Sequence, residues 1–156
     1  MRAAAVLSTI LVPLLVGAPP ASAAPVVPHE SVTAPAVSGA FITDGDHVHV
    51  SSTPPRTASA HGWWRRVKGG TTAEKAKVTV SLQVRHGRGK WKTVATGSKI
   101  VKPGGGSARR ANVRKVCANA HPTRWRSLID VDIIGELDTP EKATTEVVSV
   151  ACGVSG

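Results

Sequence analysis

Two cysteines constrain this chain more than any other feature. Cys117 and Cys152 are the only ones in 156 residues. The stretch that ends on them holds three strand-like runs. Arg109 to Cys117 reads Arg-Arg-Ala-Asn-Val-Arg-Lys-Val-Cys, Trp125 to Ile134 reads Trp-Arg-Ser-Leu-Ile-Asp-Val-Asp-Ile-Ile, and Glu146 to Cys152 reads Glu-Val-Val-Ser-Val-Ala-Cys. A disulfide between the cysteines closes a loop of about 36 residues and stabilises the fold by roughly 3–4 kcal/mol in the chain-entropy picture. A metal site is the poorer reading, because neither cysteine has a second Cys or a His at ligand spacing.

The N-terminus says which compartment permits that bond. Met1-Arg2 is a short positive start, Ala3 to Val16 is apolar, and Ala21-Ser22-Ala23 is an A-x-A cleavage site. That pattern predicts a secretory signal peptide over residues 1–23. The apolar run is too short to span a bilayer comfortably and ends in Pro, Ala and Ser. The expected product is secreted and extracellular, with no membrane span. Removing 23 of 156 residues leaves 133, enough for one domain with a real core. An oxidising compartment favours the disulfide.

Charge is distributed unevenly. Arg56 to Arg126 carries 18 Lys or Arg against one acid, Glu74, while residues 127–156 carry six acids against Lys142 alone. The formal net charge is +10. Part of the excess can pair internally, basic strands against acidic ones. The remainder serves either general solubility or a basic face for an anionic partner.

Residues 24–60 read as a flexible leader, rich in Ala, Pro, Val and Ser, with room for a short strand or hairpin at 39–50. Ser51 to Ser59, with Pro54-Pro55, reads as linker, and the main domain is expected over 61–156. Lys75 to Arg85 is the clearest strand, with Val78, Val80, Leu82 and Val84 at period two. His86-Gly-Arg-Gly89 is a hairpin turn by composition, and the strand from Lys90 returns beside it. That pairing sets Trp91 beside Val84 and drops Val94 on the opposite face, which calls for a bulge or a shifted register. Pro103 to Ser107 lacks the Gly-Lys-Ser/Thr ending of a phosphate-cradling loop and reads as a turn.

Pairing the strand that ends at Cys117 with the one that starts at Trp125 gives consistent faces. Ala111, Val113 and Cys117 go with Trp125, Ile129, Val131 and Ile133. Arg110, Asn112 and Arg114 go with Arg126, Asp130 and Asp132. Lys115 is the misfit. Val148, Val150 and Cys152 share a parity, so both cysteines can face the core. No segment holds a helical period beyond two turns. The expected fold is all-β: an antiparallel β-sandwich of immunoglobulin-like architecture, with six to seven short strands and one Cys117–Cys152 disulfide.

Catalytic chemistry finds little support. Asp130 and Asp132 share a strand face about 7 Å apart, but among arginines they read as salt-bridging rather than as a glycosidase pair. No serine lies in a Gly-x-Ser-x-Gly elbow, and both cysteines are committed. His47 and His49 could share an ion from one strand face, but only Asp44 and Asp46 stand near them in sequence, so no metal site and no cofactor are expected. Trp63 and Trp64 point opposite ways on a strand. One belongs in the core, and the other either covers a sheet edge or packs under the leader, or else is available for stacking beside Arg65 and Arg66.

The motifs Trp63-Trp64-Arg65-Arg66-Val67, Gly104-Gly-Gly-Ser107, Arg114-Lys115-x-Cys117, Trp125-Arg126-x-x-x-Asp130-Val131-Asp132 and Ala151-Cys152 resemble those of a group of small secreted actinobacterial proteins of unknown function. The resemblance covers about residues 61–152. It implies the fold and the compartment, and no activity. Some of the group carry extra cysteines where this chain has Thr71-Thr72 and His86-Gly-Arg-Gly89, which implies that one disulfide suffices here.

The expectation is a non-enzymatic cationic module, monomeric or weakly self-associating. Its partner would be an anionic cell-wall polymer, extracellular nucleic acid or an acidic protein. Arg65, Arg66, Lys75, Lys77, Arg85, Arg88, Lys90, Lys92, Arg109, Arg110 and Arg114 supply the charge, with Trp63 or Trp64 as stacking surface. The alternative is a secreted inhibitor or small hydrolase acting through an exposed basic loop at Arg85 to Lys92.

Overall fold

Alternation over residues 76–85 forces one side of that segment into a core. Val78, Val80, Leu82 and Val84 are all fully buried, while Lys77, Thr79, Ser81, Gln83 and Arg85 lie on the other side. Burying each of those Val and Leu side chains stabilises the fold by roughly 1.5–3 kcal/mol. The structure, a computed structural model, describes residues 40–137 and 142–155. Residues 1–23, read as the signal peptide, lie outside the described residues.

Nine strands form among the described residues. They are β1 (Phe41–Gly45), β2 (His49–Val50), β3 (Thr57–Arg66), β4 (Ala76–Arg85), β5 (Lys92–Val101), β6 (Ala111–Val116), β7 (Asn119–Ile133), β8 (Ala143–Thr144) and β9 (Val148–Gly153). The first sheet is built on β3, which pairs with β1, β2 and β6. The second runs β5-β4-β7-β8, with β9 also on β7. Every pairing is antiparallel. The all-β, two-sheet expectation holds. The strand count does not, since nine strands replace six or seven, and β3, β4, β5 and β7 run ten residues or more.

Two expectations about the start of the domain are corrected. The fold does not begin at His61, because β1 and β2 belong to the first sheet. Nor is Ser51 to Ser59 all linker, since β3 starts at Thr57. The inward residues of β3 are Ala58, Ala60, Gly62 and Trp64, and its small residues let the sheets approach. A Cβ on Gly62 would meet Val80 Cγ2 at 2.7 Å and Ile129 Cγ2 at 2.9 Å.

The pairing expected in the cysteine-bounded segment is also corrected. β6 pairs with β3, and β7 pairs with β4, so the two lie in opposite sheets. The faces were assigned rightly all the same. Ala111, Val113, Trp125, Ile129, Val131 and Ile133 are buried, and Asn112 and Arg114 are exposed. The short link after β6 crosses between sheets instead of turning within one. Cys117 on that link and Cys152 on β9 form the disulfide, with a Cα separation of 4.9 Å, and so tie the first sheet to the second. Trp125 lies against this tie and donates its indole N–H to the Cys152 carbonyl at 2.9 Å. Trp64 donates likewise to the Val101 carbonyl at 3.2 Å. Buried indoles need such partners.

Candidate anion-binding interface

The outer face of the second sheet is ordered by charge. On β4 and β7 the cross-strand rows run Arg85–Arg124, Gln83–Arg126, Ser81–Leu128, Thr79–Asp130 and Lys77–Asp132. One end is basic, and the other is mixed. At the mixed end Lys142 bonds Asp130, and Lys77 stands opposite Asp132. Internal pairing of the C-terminal acids is therefore real, but local. From Arg126 to Asp130 is four residues, about 13 Å along a strand. That exceeds the Debye length of about 8 Å at physiological salt, so the acids do not neutralise the basic end.

The 86–89 turn caps that end. Gly87 takes a positive φ of 54°, and the Gly89 N–H donates to the His86 carbonyl at 3.0 Å. A tight turn of this kind leaves Arg88 and Lys90 fully outside, and both are exposed. The returning strand bulges, with Leu82 opposite Ala95 and Gln83 opposite Thr93, so that Val94 is skipped. The bulge expected from the Val94 parity is present. The register puts Lys92, not Trp91, opposite Val84.

Freed from that pairing, Trp91 lies on the outer face. Its ring centroid is 4.7 Å from the Arg85 guanidinium carbon and 4.4 Å from that of Arg126. Arg126 is held in place by a hydrogen bond from its Nε to Gln83 Oε1 at 2.8 Å. The Nε of Arg85 is buried with no hydrogen-bond partner. The electron-rich ring face offsets part of that cost. A guanidinium stacked on an aromatic ring keeps its in-plane N–H donors, and these match carboxylate, sulfate and phosphate.

Arg85 and Arg124 stand directly opposite each other, a like-charge cross-strand pair, which is unfavourable in a sheet. Arg88 and Lys90 on the turn and Arg126 in the next row add to the same end, and Lys92 follows the turn with the parity of Val84. Among the described residues no carboxylate pairs with any of these six cations, Glu146 at the entry to β9 included. The end therefore carries a net positive charge that no carboxylate among the described residues pairs with.

The other basic residues named from sequence do not join this surface. Arg65 pairs with Asp44 at 3.0 Å. Arg66 donates to the Thr72 and Ala73 carbonyls and, with Lys102, Arg109 and Glu74, lines a depression of about 180 Å³. Arg109 donates to the Pro103 carbonyl at 3.2 Å. Lys77 lies at the far end of β4, with Lys75 just before the strand. Arg110 is half-buried beside β6, and Arg114 lines a groove of about 440 Å³ with Ser51, Pro54, Pro55 and Val116. So Arg85, Arg88 and Lys90 share the Trp91 end, Lys92 lies next to it in sequence but with the parity of Val84, and the other seven lie elsewhere.

Of the two readings of the tryptophan pair, core plus cover fits and stacking on a ligand does not. Trp64 is completely buried and cannot stack on a ligand. Trp63 faces outward but lies under the glycine loop, where a Cβ on Gly105 would meet its ring at 3.1 Å. The aromatic of the basic end is Trp91, which sequence reasoning had placed against Val84. Arg124 and Arg126 were also missed as site residues. Their signal was their parity with Arg85 across a β4–β7 pairing. The histidine pair is corrected too, because His49 stacks on His61 instead of joining His47.

No family model matches the chain, and no curated protein or solved structure is significantly similar to it. No helix among the described residues is long and apolar enough to cross a membrane.

Proposed function

We propose that this chain is a secreted, non-enzymatic binding module that takes an anionic polymer on the Trp91 end of its second sheet. The observation that carries this reading is the Arg85–Arg124 cross-strand pair, with Arg126 in the next row and Trp91 lying against Arg85 and Arg126. Arg88, Lys90 and Lys92 extend the charge around the turn. The guanidiniums address phosphate, sulfate or carboxylate groups, and the Trp91 ring both orients them and offers an apolar surface to a sugar or a base. The disulfide between the sheets is in keeping with an extracellular compartment.

A salt series tests it, with duplex DNA, heparin and purified cell-wall polymer as ligands. Six cations, each displacing one counterion, give a log–log slope of about −5 on duplex DNA. Between 50 and 200 mM salt that is a loss of roughly three orders of magnitude. Arg88→Ala should make the slope shallower by about one. Trp91→Ala should weaken binding while leaving the slope near its original value. Absence of binding to all three ligands at 50 mM salt refutes the reading. So does a slope unchanged by Arg88→Ala together with Arg126→Ala.

A further inference from the structure

The outer face of the first sheet carries a different chemistry. Its centre holds two imidazoles and a carboxylate drawn from separate places in the chain. Asp46 lies between β1 and β2, His49 opens β2, and His61 sits in the middle of β3. The chain reaches this arrangement because β1 and β2 both run antiparallel to β3, with an interruption at 46–48 between them. Val48 anchors the interruption by burying its side chain. The register sets His49 opposite Ser59, two residues from His61 and on the same face of β3.

The carboxylate is held firmly. Asp46 Oδ1 accepts the backbone N–H of His61 at 2.5 Å, and Oδ2 lies 2.7 Å from His61 Nδ1. The Asp46 N–H donates in turn to the His61 carbonyl at 3.2 Å. The His49 ring stacks on that of His61, with centroids 5.6 Å apart and planes inclined by 20°. Its Nε2 lies 3.0 Å from Ser59 Oγ. One ligating atom from each of Asp46, His49 and His61 lies within 4.8 Å of the other two.

We propose that Asp46, His49 and His61 bind one divalent transition-metal ion of the zinc class. Two imidazoles and one carboxylate form a mixed nitrogen–oxygen set, which suits Zn²⁺, Ni²⁺ or Cu²⁺ and not the all-oxygen preference of Ca²⁺ or Mg²⁺. Bonds of about 2.0–2.2 Å around a tetrahedral ion put neighbouring ligand atoms about 3.3 Å apart. The Asp46–His61 contact must open by roughly half an ångström, and the widest separation must close by about 1.5 Å. His49 lies on the exposed side of the cluster, so a turn of its ring out of the stack on His61 would supply most of that closure. The Ser59 hydroxyl orients the ring as an outer-shell partner. Three protein ligands leave a position for water. This site lies on the opposite sheet from the Trp91 surface and does not depend on it.

The test is calorimetric titration of the tag-free protein with Zn²⁺, repeated with Co²⁺ to read the coordination number from its visible absorption. One ion per chain is expected. His49→Ala and His61→Ala should each weaken binding by about a hundredfold or more, beyond the loss typical of an outer-shell partner. Ser59→Ala should weaken it by about tenfold. His47→Ala should change nothing, since that side chain is outside the cluster. His49 is exposed, so its variant remains a clean test even where His61→Ala disturbs the fold. A raised melting temperature with Zn²⁺ in the wild type, absent in His49→Ala, is the matching readout. Failure to bind one saturating ion overturns the proposal. Binding that survives His49→Ala, or that His47→Ala removes equally, does the same.

Discussion

Gly97 sits in β5 opposite Val80, on the inward face of the second sheet. There the edge of that sheet meets β6 of the first. A Cβ at Gly97 would lie 2.3 Å from the Asn112 carbonyl oxygen, 3.3 Å from its carbon and 3.4 Å from Val113 Cα. All three are backbone atoms within β6, so no side-chain rotation relieves the contact. Gly97→Ala must push the two strands apart by roughly 1 Å to reach ordinary van der Waals distance. Overpacking of this kind costs about 1–3 kcal/mol, and a backbone obstacle belongs at the upper end. Replacing glycine inside a strand recovers about 0.5–1 kcal/mol of chain entropy. The net loss is therefore about 2 kcal/mol, which lowers the melting temperature of a domain this size by roughly 8–10 °C. Gly106→Ala is the control. Its φ of −66° and ψ of 160° are open to any residue, and a Cβ there meets nothing within 4 Å. That change should be neutral or stabilising by up to about 1 kcal/mol. Thermal unfolding followed by tryptophan fluorescence and calorimetry gives both numbers. A Gly97→Ala melt within about 2 °C of wild type would refute the close approach of β5 to β6. Equal losses at both positions would refute the steric account.

Two other perturbations probe the tie between the sheets. Cys117→Ser with Cys152→Ser opens a loop with a sequence separation of 35 and should remove roughly 4 kcal/mol. The urea midpoint should then fall by about 2–3 M, and a shift below about 1 M would mean that the sheets hold together without the bond. Trp125→Phe removes the indole donor from the buried Cys152 carbonyl and leaves a gap beside the disulfide. Its expected loss is about 2–4 kcal/mol in chemical denaturation, larger than that of the exposed-pair change Arg65→Ala, which should stay below about 1 kcal/mol.

Faces were legible in the sequence where partners were not. Period two is a local property. It assigned Val78 to Val84 and Trp125 to Ile133 to the core side, and it allowed a bulge or a shifted register near Val94, where a bulge is observed. Which strand lies alongside which is not local. The 109–117 run has a plausible antiparallel partner in 125–133 by alternation alone, yet the link after Cys117 crosses to the other sheet. β3 was hard to read before Trp63 for a packing reason. Its inward residues Ala58, Ala60 and Gly62 are small because the opposite sheet comes close, so they carry little hydrophobic signal. The same non-locality hid both candidate sites. Trp91 meets Arg126 only across β4, and His49 meets His61 only through the β2–β3 pairing.

Charge order on the second sheet limits what its basic end can hold. Row by row from Arg85–Arg124 to Lys77–Asp132, the outer face passes from cations through Ser81 and Leu128 to carboxylates. A long polyanion lying along the strands would leave favourable potential after the Gln83–Arg126 row and meet Asp130 two rows later. Moving from Arg88 to Leu128 takes in the turn and about three rows, roughly 15–20 Å of polymer. For the proposed anionic ligand the productive footprint would therefore be short, confined to the turn and the rows next to it. The C-terminal acids, with Lys142 on Asp130 and Lys77 opposite Asp132, leave the far end of the face without an excess of positive charge. On the proposed reading, an anionic chain would be held at the end where two guanidiniums lie against Trp91.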